Sequence, residues 1–235
     1  MIEPLLQLKH GLIVSAQAAE GEPLCAPEHI CALALSGLAG GAKGLRLEGV
    51  ANIAYVRART GVPIIGLTKS AVPEAERDSC VYITGTFAEA QALALAGADV
   101  IAIDATERKR PDGSKLKDLI TDIGKRLNKP VWADISTYQE GVYAAQCGAD
   151  VVSTTLYGYT SATRLPAEAG PDFELLAQLC RNLNKPVVLE GRVWQPSQVA
   201  QAFALGAMAV VVGSAITRPQ LITARFVQAI PSLGQ

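Results

Sequence analysis

The stretches LALAGADVIAID (93–104), YAAQCGADVVST (143–154) and FALGAMAVVVGS (203–214) follow one grammar. An Ala-rich segment with helical spacing ends at a glycine that can take the left-handed cap conformation, and an apolar, β-branched run begins almost at once. NKPVWADIS (128–136) and NKPVVLEGR (184–192) follow a second grammar, in which proline stops a helix and opens a strand. Working outward from these repeats, eight short strand-like runs emerge: 11–17, 44–49, 63–69, 99–105, 130–136, 150–155, 186–191 and 209–214. Their interiors are apolar almost throughout instead of alternating, which marks strands covered on both faces, as parallel strands are. Eight strand–helix units use up the 235 residues and leave no interdomain linker. The reading is therefore α/β, a single-domain (β/α)8 TIM barrel over residues 1–235. An open doubly wound sheet is the alternative, but GxGxxG after the first strand is missing.

Composition narrows the functions this barrel can carry. Twenty-one basic side chains against 22 acidic ones give a net charge of −1, and the longest charge run is ERKR at 107–110. Nucleic acid and anionic membrane are excluded as partners, because both call for a concentrated basic stripe. The two histidines, His10 and His29, are too few for a His-rich metal site, so no metal is expected. Five cysteines without a CxxC pair fit a reduced, cytoplasmic protein in which they serve packing. The N-terminus lacks the pattern of a signal peptide, and no run approaches ~20 apolar residues.

In barrels of this kind the active site lies at the carboxyl ends of the strands. The polar residues there are Gln17, Arg46, Glu48, Lys69, Asp104, Asp134, Thr154, Thr155 and Glu190, with Gly213 and Ser214 after the last strand. Asp104 and Asp134 could equally tie down a loop, the threonines could be ordinary strand residues, and Glu48 could be solvated. Lys69 and Glu190 stand out, because each closes a strongly apolar strand where an unpaired charge is costly. Glycines follow strands seven and eight in EGR (190–192) and GSAITRP (213–219). Barrels commonly hold a phosphate there on backbone N–H groups, with Arg192 or Arg218 adding charge.

Longer motifs carry a family resemblance. SAQAAEGEPL (15–24), IDATERKRPDG (103–113), ADIST (133–137), STTLYGYT (153–160), PDFELL (171–176), LEGR (189–192) and VVVGSAITRPQ (210–220) resemble, in order, the N-acetylmannosamine-6-phosphate 2-epimerases. The likeness runs from about residue 10 to about residue 230 and departs from the family pattern at 70–84 and at Tyr157. It implies a cofactor-independent interconversion of N-acetylmannosamine 6-phosphate and N-acetylglucosamine 6-phosphate within sialic acid or amino-sugar catabolism. Lys69 would be the base and Glu190 its acidic partner. Gln17, Arg46 and Asp134 would hold the sugar, while Gly191, Arg192, Gly213, Ser214 and Arg218 would hold the phosphate. The resemblance also suggests a homodimer.

The chemistry suits these residues. Carbon 2 of the ring-opened sugar lies beside an aldehyde, so its proton is weakly acidic, and desolvation would favour the neutral amine a lysine base needs. Two other readings use the same residues: a Schiff-base phosphosugar aldolase with Lys69 as nucleophile, and a non-catalytic phosphosugar-binding protein.

Overall fold

The computed structural model describes residues 2–70, 72 and 76–231. The 70–84 loop singled out by sequence therefore lies partly outside the described residues, at Ala71, Pro73, Glu74 and Ala75.

Eight parallel strands close into a barrel in sequence order, with the last pairing to the first. They are β1 (Gly11–Ala16), β2 (Gly44–Glu48), β3 (Ile64–Leu67), β4 (Val100–Asp104), β5 (Val131–Asp134), β6 (Val151–Ser153), β7 (Val187–Glu190) and β8 (Ala209–Val212). Each falls inside one of the eight apolar runs. Helices fill the connections: α2 (Pro27–Ala39), α3 (Val50–Arg57), α4 (Phe87–Leu95), α5 (Leu116–Asp122), α6 (Tyr138–Cys147), α7 (Phe173–Asn182) and α8 (Pro196–Ala204). A π-helical turn, Ile123–Leu127, continues α5. After β8 the chain forms the short α9 (Ser214–Thr217) and then α10 (Pro219–Gln228). Among the described residues no helix is long and apolar enough to cross a membrane.

The repeated grammar has a physical cause at each step. Gly97, Gly148 and Gly206 take φ of 103°, 105° and 100°, the left-handed values that turn a helix end into a strand. In the two GAD repeats the aspartate then reaches the strand before it. Asp99 accepts from the Ile64 N–H and Asp150 from the Val131 N–H, both at 2.9 Å, satisfying backbone donors where those strands begin.

Two apolar layers result. The larger packs the outward strand residues against the helices, and the smaller fills the barrel interior with Ile13, Ile65, Leu67, Val100, Trp132, Val188 and Val211 among others. A helix that the sequence reading left unassigned, α1 (Glu3–Leu8), closes the amino-terminal end, with Leu5 and Leu8 joining the interior cluster. Gly44 makes room for it, since a Cβ there would lie 2.2 Å from Leu8 Cδ2.

Gly66 plays the same part on the outer face of β3. An added Cβ would sit 2.6 Å from Ala98 Cβ and 3.0 Å from Ile53 Cδ1. Gly66→Ala should therefore destabilise the fold by about 1–3 kcal/mol, the usual range for overpacking. Urea unfolding measures this, and an unchanged midpoint would show that α3 and α4 yield freely.

Candidate active site

Side chains alternate along a strand, so the residues two places beyond each interior apolar position also face the barrel axis. This puts Ser15, Arg46, Asp104, Asp134, Ser153 and Glu190 in one polar layer above the apolar interior.

Arg46 lies at its centre and is completely buried. Its Nη2 donates to Asp134 Oδ2 across the barrel at 2.5 Å, and its Nε lies 3.0 Å from Glu190 Oε1. Desolvation opposes the Arg46 charge, but Asp134 and Glu190 outweigh it and hold the guanidinium above its ordinary pKa. The Thr155 hydroxyl donates to Asp134 Oδ1 at 2.7 Å and lies 2.9 Å from Ser153 Oγ. Thr154 fixes the Glu190 main chain, donating to its carbonyl at 2.9 Å and accepting from its N–H at 3.1 Å. Among the described residues, Arg46 Nη1 and Glu190 Oε2 are buried without a hydrogen-bond partner. Buried polar atoms are normally satisfied, so these two mark where a ligand's polar groups would sit.

Lys69 stands just past the end of β3. There, residues 68–70 pair antiparallel with 82–84 through Thr84 N–H to Thr68 O and Ser70 N–H to Tyr82 O, both 2.8 Å. Sequence reading extended the strand to the lysine, whereas the regular ladder stops at Leu67 and a β-ribbon positions Lys69. Lys69 is open to the mouth as a residue, yet the surrounding wall removes enough water to lower its ammonium pKa. Desolvation is the leading cause; Glu48 and Glu190 oppose it, and Arg46 and Arg77 add to it. Among the described residues its ammonium has no ion pair within 4.0 Å.

The remaining candidates divide. Gln17 Nε2 donates to Ser15 Oγ at 2.8 Å at the end of β1. Gly191 and Arg192 are consecutive left-handed residues, φ 96° and 61°, and a Cβ on Gly191 would lie 3.2 Å from Thr155 O. Among the described residues, the N–H groups of Gly191, Arg192, Gly213 and Ser214 donate to no backbone acceptor. The Arg192 guanidinium is committed elsewhere, to the carbonyls of Gly158, Leu165, Pro166 and Ala169, so it clamps the loop after β6. Arg218 forms an ion pair with Glu22 of the loop after β1, and Gln220 shares that carboxylate. Asp104 takes the loop-tying role, accepting from Thr106 and pairing with Arg108 at 2.7 Å.

Sequence reading missed Tyr82, whose ring lies under the Arg77 and Arg108 guanidiniums. The β-branched run VYIT (81–84) was the available signal for the ribbon that carries it.

The chain is similar to known proteins over most of its length. The family model described as "Putative N-acetylmannosamine-6-phosphate epimerase" matches residues 30–232. A putative N-acetylmannosamine-6-phosphate 2-epimerase of Clostridioides difficile (strain 630) is 46% identical over 224 residues, 95% of this chain and 97% of the relative. One from Caldanaerobacter subterraneus subsp. tengcongensis is 43% identical over 222 residues, 94% and 91% of the two chains. The solved N-acetylmannosamine-6-phosphate 2-epimerase of Clostridium perfringens superposes with a TM-score of 0.91 at 40% identity, covering 97% of each chain.

Burial pushes the Glu190 carboxyl up to about 7; Arg46 opposes the rise and Asp134 adds to it. Since an unfolded glutamate titrates near ~4.3, the folded chain holds the extra proton between the two values. Stability from this group is thus full below the unfolded value and declines as pH rises through 7, by on the order of 3 kcal/mol. Glu190→Gln cannot ionise, so its stability relative to the parent should improve between pH 5 and pH 8 by up to about that amount. Urea unfolding at the two pH values measures it, and a pH-independent difference would contradict the raised value.

Proposed function

The chain belongs to the N-acetylmannosamine-6-phosphate 2-epimerase family, and from that premise we propose that it interconverts N-acetylmannosamine 6-phosphate and N-acetylglucosamine 6-phosphate through the proton on carbon 2. The observation that carries the mechanism is topological. Lys69 follows β3 and Glu190 ends β7, four strands apart in a closed ring of eight. Two acid–base groups on opposite walls suit a reaction that takes a proton from one face of a carbon and returns one to the other.

In the ring-opened sugar, neutral Lys69 takes the carbon 2 proton. The C–H electron pair passes into the carbon 1–carbon 2 bond, and the aldehyde oxygen becomes an enolate oxygen. Arg46 Nη1, buried without a partner, is available to that oxygen and is already charged when the negative charge develops. Glu190, with a carboxyl pKa of about 7, carries a proton in part of the molecules at neutral pH and delivers it to the opposite face. The reverse reaction exchanges the two roles. Lys69 ends as an ammonium and Glu190 as a carboxylate, and exchange with water at the mouth resets both.

The sugar is held by Gln17, Arg46 and Asp134. Its phosphate lies on the free N–H groups of Gly191, Arg192, Gly213 and Ser214, with Arg218, which it would share with Glu22, at its edge. Arg192 contributes its main chain, because its guanidinium is occupied by the loop it clamps. The reaction we propose takes place in the cytoplasm, within amino-sugar catabolism, including that of sialic acid. The chain's five free cysteines agree with that compartment.

The working form is a homodimer whose contact includes α10. No residue of α10 is buried, and Phe226 and Val227, with Ile230 just beyond the helix, are 74%, 57% and 67% exposed. An apolar cluster of that kind is typical of an interface.

Two measurements test these readings. Incubated with N-acetylmannosamine 6-phosphate in deuterated water, the protein should yield N-acetylglucosamine 6-phosphate labelled at carbon 2, and Lys69→Ala should lower kcat by about 10²–10⁴. Near-normal turnover in a folded Lys69→Ala variant would remove Lys69 as the base, and a borohydride-trapped substrate adduct would indicate aldolase chemistry. Sedimentation should show a dimer that Phe226→Glu converts to monomer; a monomeric parent would end the dimer reading.

A further inference from the structure

A groove of about 460 Å³ lies away from the barrel axis, between the loop after β4 and α6. The loop is TERKRPDGSK (106–115), which contains the longest charge run of the chain. Arg108, Lys109, Arg110 and Lys115 line the groove, and Glu107 is its one acidic residue.

The four cations outnumber the acidic groups beside them, Glu107 in the lining and Asp112 of the same loop, which attracts Arg110. Among the described residues, only Arg108 has a carboxylate within 4.0 Å, Asp104 at the barrel mouth. Arg110 is buried and gives its guanidinium N–H groups to the carbonyls of Asp104 and Gly85, which fix its position without neutralising its charge. Lys109 and Lys115 are exposed, and among the described residues neither ammonium forms an ion pair or hydrogen bond to a carboxylate. The hydroxyl of Ser114, also in the lining, is buried without a hydrogen-bond partner. The groove is also held in shape. Lys109 N–H donates to Ser79 O and Lys109 O accepts from Val81 N–H, while the Glu140 carboxylate accepts from Glu107 N–H at 3.1 Å.

We propose that this groove is a second anion site, separate from the barrel mouth, which binds a sugar monophosphate. A fixed concentration of positive charge, an orphan hydroxyl and a volume within the range of small-molecule sites fit a phosphate carried on a compact polyol. Arg108 connects the site to the mouth, since the guanidinium lining the groove also holds Asp104. The inference does not depend on the epimerase reading.

Calorimetric titration of the full-length protein with inorganic phosphate, and separately with glucose 6-phosphate, tests it. The parent should bind more than one equivalent of each. Lys109→Ala/Lys115→Ala should lose one site, its affinity falling at least ~10-fold, while kcat/KM for the amino-sugar phosphate stays within about twofold. Lys115→Glu alone should have the same sense of effect. Arg218→Ala should lose the other site; if it does not, the phosphate assignment at the mouth fails and the groove stands. Glucose 6-phosphate binding at the groove more tightly than inorganic phosphate supports the sugar ester, and equal affinity overturns that assignment in favour of the free anion. A lysine variant that titrates like the parent overturns the site itself.

Discussion

Everything at the mouth of this barrel is arranged around one guanidinium buried among carboxylates. A lone Arg46 in the barrel would be too costly to keep charged, and Asp134 and Glu190 make it tolerable by lying against it from two other strands. Two carboxylates cannot both be fully satisfied by one cation. Asp134 has the shorter contact and the Thr155 hydroxyl, whereas Glu190 keeps an oxygen without a partner and a raised affinity for its proton. The unequal sharing commits Asp134 to holding Arg46 and leaves Glu190 with the raised affinity for its proton, so that two chemically similar groups differ in their surroundings.

The same field reaches Lys69. Arg46 pushes its pKa down while Glu190 and Glu48 pull it up, and the burial of the mouth decides the direction. The lysine and the glutamate therefore move toward one another in proton affinity, from opposite ordinary values. In the proposed reaction, that convergence helps proton transfer between the substrate carbon and either group.

Much of the architecture was legible because it is local. The helix stops at Gly97, Gly148 and Gly206 are short-range backbone requirements, and each of the eight apolar runs contains a strand. The strand-end position of Arg46, Asp134 and Glu190 follows from the alternation of side chains. What the sequence hid depends on partners far along the chain. The Arg192 guanidinium finds four carbonyls in the 158–169 stretch, and Arg218 meets Glu22 from the other end of the molecule. Lys69 owes its placement to pairing with residues beyond a long loop, and α1 became readable only once its leucines had a cavity to fill. A motif identifies residue types near a site; whether an arginine there faces ligand or loop is decided by tertiary geometry.

The stopper formed by Leu5 and Leu8 has a kinetic meaning. With the amino-terminal end packed shut, the mouth is, among the described residues, the route along the barrel axis to the groups proposed to react, so a product molecule would leave through the passage the next substrate uses. The two sugar phosphates differ in configuration at a single carbon and would be gripped by the same phosphate and sugar contacts. Departure of one and arrival of the other are then mutually exclusive events at a shared doorway, and the net direction of flow is set by their concentrations on the outside.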